Sequence, residues 1–161
     1  MQGKSMRKAI RSPLLALALI VVFAGTVLAT AASGLTLTTL SRGTLSEPVH
    51  FNTGEVKFQT KGSVDVVTLT ITQVAPGSSG WHAHPGVVFV TVASGSVVKY
   101  DANCTATAYA AGSAFTEAGD NAVLVRNEST TTAAVLYVTE IVPAGTTALR
   151  IDKPNPGCPQ N

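Results

Sequence analysis

The sequence predicts an all-β fold, a single antiparallel sandwich or barrel, and three observations predict it. After residue 35 the apolar residues alternate with polar ones or form short β-branched runs, and they do not recur at helical spacing over any long window. Glycine-bearing turns punctuate those runs at regular intervals, as in sandwiches and barrels. The chain has 161 residues, enough for one domain and too few for two large domains with a linker.

Taken in order, residues 35–40 (Leu-Thr-Leu-Thr-Thr-Leu) read as either a linker or a first strand. Residues 64–74 place Val67, Leu69 and Ile71 on one face and Thr68, Thr70 and Thr72 on the other, the signature of a half-buried strand. Pro76-Gly77 and Ser78-Ser79-Gly80 read as a loop. Residues 87–93 and 96–100 flank Ser94-Gly95 and read as a hairpin, with glycine supplying the positive φ. Further strands are expected at 122–126 and 133–142, and a shorter one at 106–109.

The first residues have a different character. Lys4, Arg7, Lys8 and Arg11 precede an uncharged, mostly apolar run from Pro13 to Ala29, followed by Ala-x-Ala spacing at Ala29 and Ala31. This is the layout of a secretory signal peptide over residues 1–31, and it predicts a secreted or extracytoplasmic protein. Membrane contact is expected only through this segment, if it is retained. The run has 17 positions, whereas a span needs about 20. Residues 32–46 then form the linker or first strand, and 47–159 the β-domain.

Charge excludes one class of partner. Hydrophobic residues make up 45% and charged residues only 12%, so the chain is no charge-rich disordered protein. Four of the eleven basic residues lie in the leader, leaving seven bases against nine acids, a balance of −2. Nucleic acid has no electrostatic footprint here. In an exported chain two cysteines predict a disulfide, Cys104–Cys158. Neither Gly-x-Ser-x-Gly, His-Glu-x-x-His nor a phosphate-binding glycine loop occurs, so no catalytic residue is assigned.

The chemistry concentrates in Trp81-His82-Ala83-His84-Pro85-Gly86. On a strand, His82 and His84 project to the same side, where neutral imidazoles can ligate a divalent transition metal. Trp81 projects to the opposite side, where it packs in the wall or stacks on a ligand at the rim.

Around these residues the sequence resembles the cupin family. The first cupin motif runs Gly-x5-His-x-His-x3-Glu-x6-Gly, and this chain has Gly77, His82, His84 and Gly95, with Val88 in the Glu position and one residue fewer after Gly77. The second motif is met by Gly112 and Asn127, with Ala118, Asp120 and Val123 in place of its Pro, Gly and His. Small exported bacterial cupins also carry Trp-His-x-His-Pro-Gly, a Cys-Thr pair in mid-chain and Asn-Pro-Gly-Cys-Pro at the end. The resemblance covers residues 42–159.

That resemblance implies a single-domain antiparallel jelly-roll barrel and, in typical members, a metal held by three His and one Glu. Carried over residue by residue, only His82 and His84 remain, since valine has no lone pair to offer. The expected metal (Zn, Mn, Fe, Ni or Cu) is therefore weakly bound, micromolar to millimolar. His50 is the candidate third ligand, and in the enzyme alternative an acidic residue of the loop entering the second motif, Glu117 or Asp120, could complete the site instead, although both read first as parts of a solvated turn. The leading functional expectation is an exported module that binds a small-molecule ligand or a metal through His82 and His84. The alternatives are a metal-dependent cupin oxygenase or isomerase, and a structural module whose pocket has filled with valines. Pairing into a homodimer is implied by the resemblance alone.

Overall fold

A computed structural model describes residues 29–160 and contains strands, turns and no helix among them. The predicted leader lies outside the described residues, except for its last three. Of these, Ala29 bridges Pro154, and Thr30 Oγ1 accepts the Trp81 N–H at 2.6 Å.

Twelve strands follow: β1 (Ser33–Leu45), β2 (His50–Asn52), β3 (Lys57–Gln59), β4 (Val64–Ser78), β5 (His82–Ala83), β6 (Val87–Ser94), β7 (Ser96–Asp101), β8 (Ala106–Ala110), β9 (Ala114–Ala118), β10 (Val123–Asn127), β11 (Ala134–Pro143) and β12 (Ile151–Asp152). All pairings among them are antiparallel. One half of the barrel is β1-β4-β11-β6-β9, and the other is β12-β5-β10-β7-β8. β4 belongs to both, because its end at Gly77 and Ser78 continues past β11 to pair with Asn127 and Arg126 of β10. β2 and β3 form a separate two-stranded ribbon.

Period-two alternation builds the core. β6 buries Val88, Val90 and Val92 and exposes Val87, Phe89 and Thr91, while β11 buries Ala134, Leu136 and Val138. With Val67, Leu69, Val97, Phe115, Val125 and Val142 these residues form the main apolar cluster. Burying each valine or leucine contributes about 1.5–3 kcal/mol. A second cluster of Trp81, Tyr100, Leu124 and Cys158 sits on the other side of the β5–β10 layer. The Cys104–Cys158 disulfide is formed, its Cα atoms 5.4 Å apart, and ties the C-terminal tail to the turn after β7. A link closing 54 residues contributes about 4 kcal/mol in the loop-entropy account.

One open alternative resolves and two sequence readings change. Residues 33–45 are a strand paired with β4 along their length. Residues 76–78 continue β4 where a loop was expected. Residues 87–94 and 96–101 are consecutive strands but not a hairpin: β6 pairs with β11 and β9, whereas β7 pairs with β10 and β8. Gly95 does take a positive φ of 73°, yet its turn carries the chain from one half of the barrel to the other. A Cβ at this position would lie 2.5 Å from the Ala133 carbonyl oxygen.

A buried carboxylate fastens the first strand. Asp65 accepts hydrogen bonds from Thr44 Oγ1 at 2.6 Å, Arg42 Nη2 at 2.5 Å and the Gly145 N–H at 2.9 Å. These bonds, Thr44 first, hold its carboxyl at about 2 against an ordinary 3.8. A depressed folded-state value contributes stability that is full above the ordinary value and lost as pH falls through the folded one. Urea unfolding should therefore show wild type more stable than Asp65→Asn at about pH 7, with the gap closing toward about pH 2. A gap that is the same at both pH values would contradict this account.

Candidate metal centre

His82 and His84 enter the barrel interior together from β5 and the residue just after it, with ring centroids 4.9 Å apart. β5 is only two residues long, held by Val123 of β10 on one side and by Ile151 and Asp152 of β12 on the other. Both rings are fixed by backbone carbonyls, which can only accept, so the Nδ1 atoms carry the protons. His82 Nδ1–H donates to Gly80 O at 2.9 Å, and His84 Nδ1–H donates to Leu149 O at 2.9 Å. Both Nε2 atoms are thereby turned to one point, occupied by Glu117. Its Oε2 lies 2.9 Å from His84 Nε2 and 3.5 Å from His82 Nε2.

Glu117 corrects the sequence reading. It lies on β9 with its side chain inward and is 6% exposed, rather than in a solvated turn. Residue 117 stands directly opposite Val88 in the β6–β9 register, and Glu140 stands opposite Val88 in the β6–β11 register. Directly opposed residues of an antiparallel pair share a face. The carboxylate that residue 88 lacks is thus supplied from the strands on both sides of it. Glu140 is 4% exposed, and its Oε2 lies 3.6 Å from His84 Nδ1.

The remaining candidates lie elsewhere. His50 is exposed on β2, in the ribbon, and is not in the His82–His84–Glu117 cluster, so it is not the third ligand. Trp81 is 0% exposed and packs in the second apolar cluster, donating its Nε1–H to Gln160 O at 3.2 Å, so it does not stack on a ligand. Asp120 pairs with Lys153 at the surface. Val88 lines the cavity and Val123 is buried beside His82, as apolar replacements should be.

The donor set fits a divalent cation. The three ligand atoms lie within 4.8 Å of one another. A four-coordinate ion with bonds of about 2.1 Å separates its ligand atoms by about 3.4 Å. The His82–Glu117 distance of 3.5 Å already matches, and the His84–Glu117 distance of 2.9 Å needs to open slightly. Glu117 Oε1 and Glu140 Oε2 are buried without a hydrogen-bond partner, an arrangement that costs about 1–3 kcal/mol or more per group. The neighbouring cavity is about 50 Å³ and is walled by Ile71, Val88, Val90, Phe115, Val125 and Leu136, among others. That is room for about three waters.

No family model and no curated protein matches the sequence. Among solved structures, the chain is similar to a cupin domain from Schizosaccharomyces pombe at 13% identity, covering 68% of this chain and 66% of that one, with a TM-score of 0.48. It is similar to an RmlC-like cupin from Shewanella frigidimarina at 13% identity, covering 72% and 86%, with a TM-score of 0.47. It is also similar to an oxalate oxidase in complex with glycolate at 17% identity, covering 48% and 45%, with a TM-score of 0.41. This chain therefore spans less than half the length of that oxidase. The strand order described above is itself that of an all-β, nearly closed antiparallel barrel with a His-His-Glu cluster in its interior.

Without metal, the cluster shares protons. Burial pushes the Glu117 carboxyl up, but the bonds from His82 and His84 outweigh it and hold the group at about 2. Burial pushes His84 down, but the Glu117 and Glu140 carboxylates outweigh it and raise the imidazole to about 9 against an ordinary 6.5. A raised folded-state value contributes stability that is full below 6.5 and lost as pH rises through about 9. Metal-free protein should accordingly lose unfolding free energy between about pH 7 and about pH 10, and Glu140→Gln should lose less over the same range. Carbon-detected NMR of the His84 ring would check the assignment, with titration near 6.5 in wild type counting against it.

Proposed function

We propose that this is an exported metal-binding cupin module in which His82 Nε2, His84 Nε2 and the Glu117 carboxylate hold one divalent transition ion. The observation that carries the proposal is the convergence of two carbonyl-oriented imidazoles on a buried carboxylate with one unpartnered oxygen. Charge favours a divalent ion: once His84 gives up its proton to bind, the carboxylates of Glu117 and Glu140 leave two negative charges, which such an ion cancels. When bound, the ion would act as a Lewis acid toward a small ligand.

The chain's own residues do the remaining work. Leu149 O and Gly80 O fix both ring orientations, and Glu140 stands behind His84 as a carboxylate that raises the basicity of the ring. Valine, leucine and phenylalanine side chains exclude bulk water. A cavity of about 50 Å³ admits water or a ligand of a few heavy atoms. That size favours a binding module over an oxygenase or isomerase acting on an extended substrate. The third ligand also removes the reason for expecting weak binding.

Calorimetry on tag-free, chelator-treated protein should give a Kd for Zn²⁺ below about 1 µM at about pH 7.5. Glu117→Gln and His82→Ala should each weaken it more than about hundredfold, and Glu140→Gln about tenfold to hundredfold, as for an outer-shell carboxylate. His50→Ala should change nothing. Affinity should fall steadily below about pH 9, as the proton on His84 competes with the ion. No binding at millimolar metal, or equal loss in all four variants, would sink the proposal.

Export is supported by the leader composition and by the disulfide, which persists in oxidising compartments. The signal-peptide reading places the mature start at Ala32 or Ser33. Cleavage there would release Thr30 from Trp81 and Ala29 from Pro154. Intact-mass measurement of protein from its native host should find that start; a mass including residues 1–31 would show a retained anchor instead.

A further inference from the structure

A second cavity lies outside the barrel, between the β2–β3 ribbon and the exposed faces of β6 and β11. It is an open groove of about 880 Å³, within the range of about 300–1,000 Å³ typical of small-molecule sites. Phe58, Val64, Val87, Phe89, Ile141 and Pro143 supply its apolar walls. Phe89 is 44% exposed and Val87 40%, so this apolar surface is open to solvent. Exposed apolar surface gathered into one concavity marks a binding site more often than scattered exposed residues do.

Charge then specifies the occupant. Lys57 and Lys61 are the charged residues among those lining the groove, and no aspartate or glutamate lines it. Neither lysine is engaged in an ion pair among the described residues. Both are exposed, Lys57 on β3 and Lys61 two residues past its end, placing two cations on the ribbon side of an otherwise apolar trough. An anion with an apolar body satisfies both features at once, whereas a cation would meet like charge and a fully polar anion would leave the trough wet.

The ribbon also explains why an occupant matters. β2 and β3 pair only with each other, and an isolated two-stranded ribbon is marginally stable in water. At its base it is tied by Thr60, whose N–H donates to Val49 O at 2.8 Å and whose Oγ1 accepts from Val49 N at 2.9 Å. Phe58, stacked on Phe51 at 5.3 Å between centroids, turns into the groove. A bound chain would give the ribbon the apolar packing it otherwise lacks.

We propose that this groove binds an amphipathic monoanion, a medium-chain carboxylate in chemical class, with the chain against Phe58 and Phe89 and the headgroup at Lys57 and Lys61. The site is separate from the His82–His84–Glu117 centre and does not depend on it. Sodium decanoate is the probe, with decyltrimethylammonium as the cation of matching chain length. Calorimetry on the full folded chain should show decanoate binding with a Kd on the order of 100 µM. The ammonium should bind at least about tenfold more weakly. Lys57→Glu/Lys61→Glu should cost decanoate about tenfold and erase its preference over the ammonium. Phe89→Ser, a change at a solvent-facing position, should weaken both probes while leaving the circular dichroism spectrum unaltered. Chelator treatment should leave decanoate affinity unchanged.

Equal binding of the two probes would overturn the proposal. So would a loss of decanoate binding on metal removal, which would place the carboxylate at the metal. A dimer in light scattering that Phe89→Ser dissolves would assign the groove to a second copy of the chain and overturn it too.

Discussion

A residue in a strand can aim its side chain to one face or the other, and the registers of β6, β9 and β11 decide which residues meet inside the barrel. The same alternation that buries Val88, Val90 and Val92 also fixes the faces of the strands paired on either side. Glu117 and Glu140 are inward because they are opposite Val88, and they stand beside His84 for the same reason. A one-residue slip in either pairing would send a carboxylate to solvent and an exposed residue into the core. The core and the site are therefore one construction. Valines fix the register, and the register positions the acids.

That arrangement runs against the ordinary rule that ionisable groups stay in water. Glu117, Glu140, His82 and His84 are all buried, in a cavity whose other walls are largely valine, leucine and phenylalanine. Removing a charge from water costs several kcal/mol unless a partner compensates. Part of the compensation is internal, through the proton that His84 retains between the two carboxylates. Part is missing, since one oxygen of each carboxylate has no hydrogen-bond partner. A chain that tolerates two such atoms at one spot has a feature that packing alone does not explain, and the proposed ion would engage the one on Glu117, its ligand, while Glu140 stands behind His84.

Much of this was legible in the sequence. The strands at 64–74, 87–93 and 133–142 followed from alternation, and the His pair and disulfide from spacing and compartment. Glu140 was also within reach: in a strand over 133–142 it shares a face with Ala134, Leu136, Val138 and Val142, all buried. The cupin motif does not point to it, because that motif places its acid at the position Val88 occupies. Glu117 was harder to place, being a candidate ligand that read first as a turn residue. Its strand is five residues long and rich in Ala and Thr, so Phe115 and Glu117 form a pattern too brief to separate from a turn. The role of His50 depended on where a detached ribbon lands, and no local signal carries that. The misread hairpin has the same origin, for Ser94-Gly95 turns the chain as a hairpin would while β6 and β7 take different neighbours.

The carbonyl that orients His84 belongs to Leu149, 65 positions further along the chain. Beyond it, Ile151 and Asp152 flank β5, Lys153 N–H donates to Trp81 O, and Cys158 locks the segment to Cys104. The carbonyl that aims His82 precedes it in the chain, whereas the one that aims His84 is made much later. β5 therefore has its full set of neighbours only when the last strand lies across it, so the shape of the receptor depends on residues far from the His pair in the chain. Cutting the tail, or the disulfide that holds it, would reach the metal centre without touching a ligand.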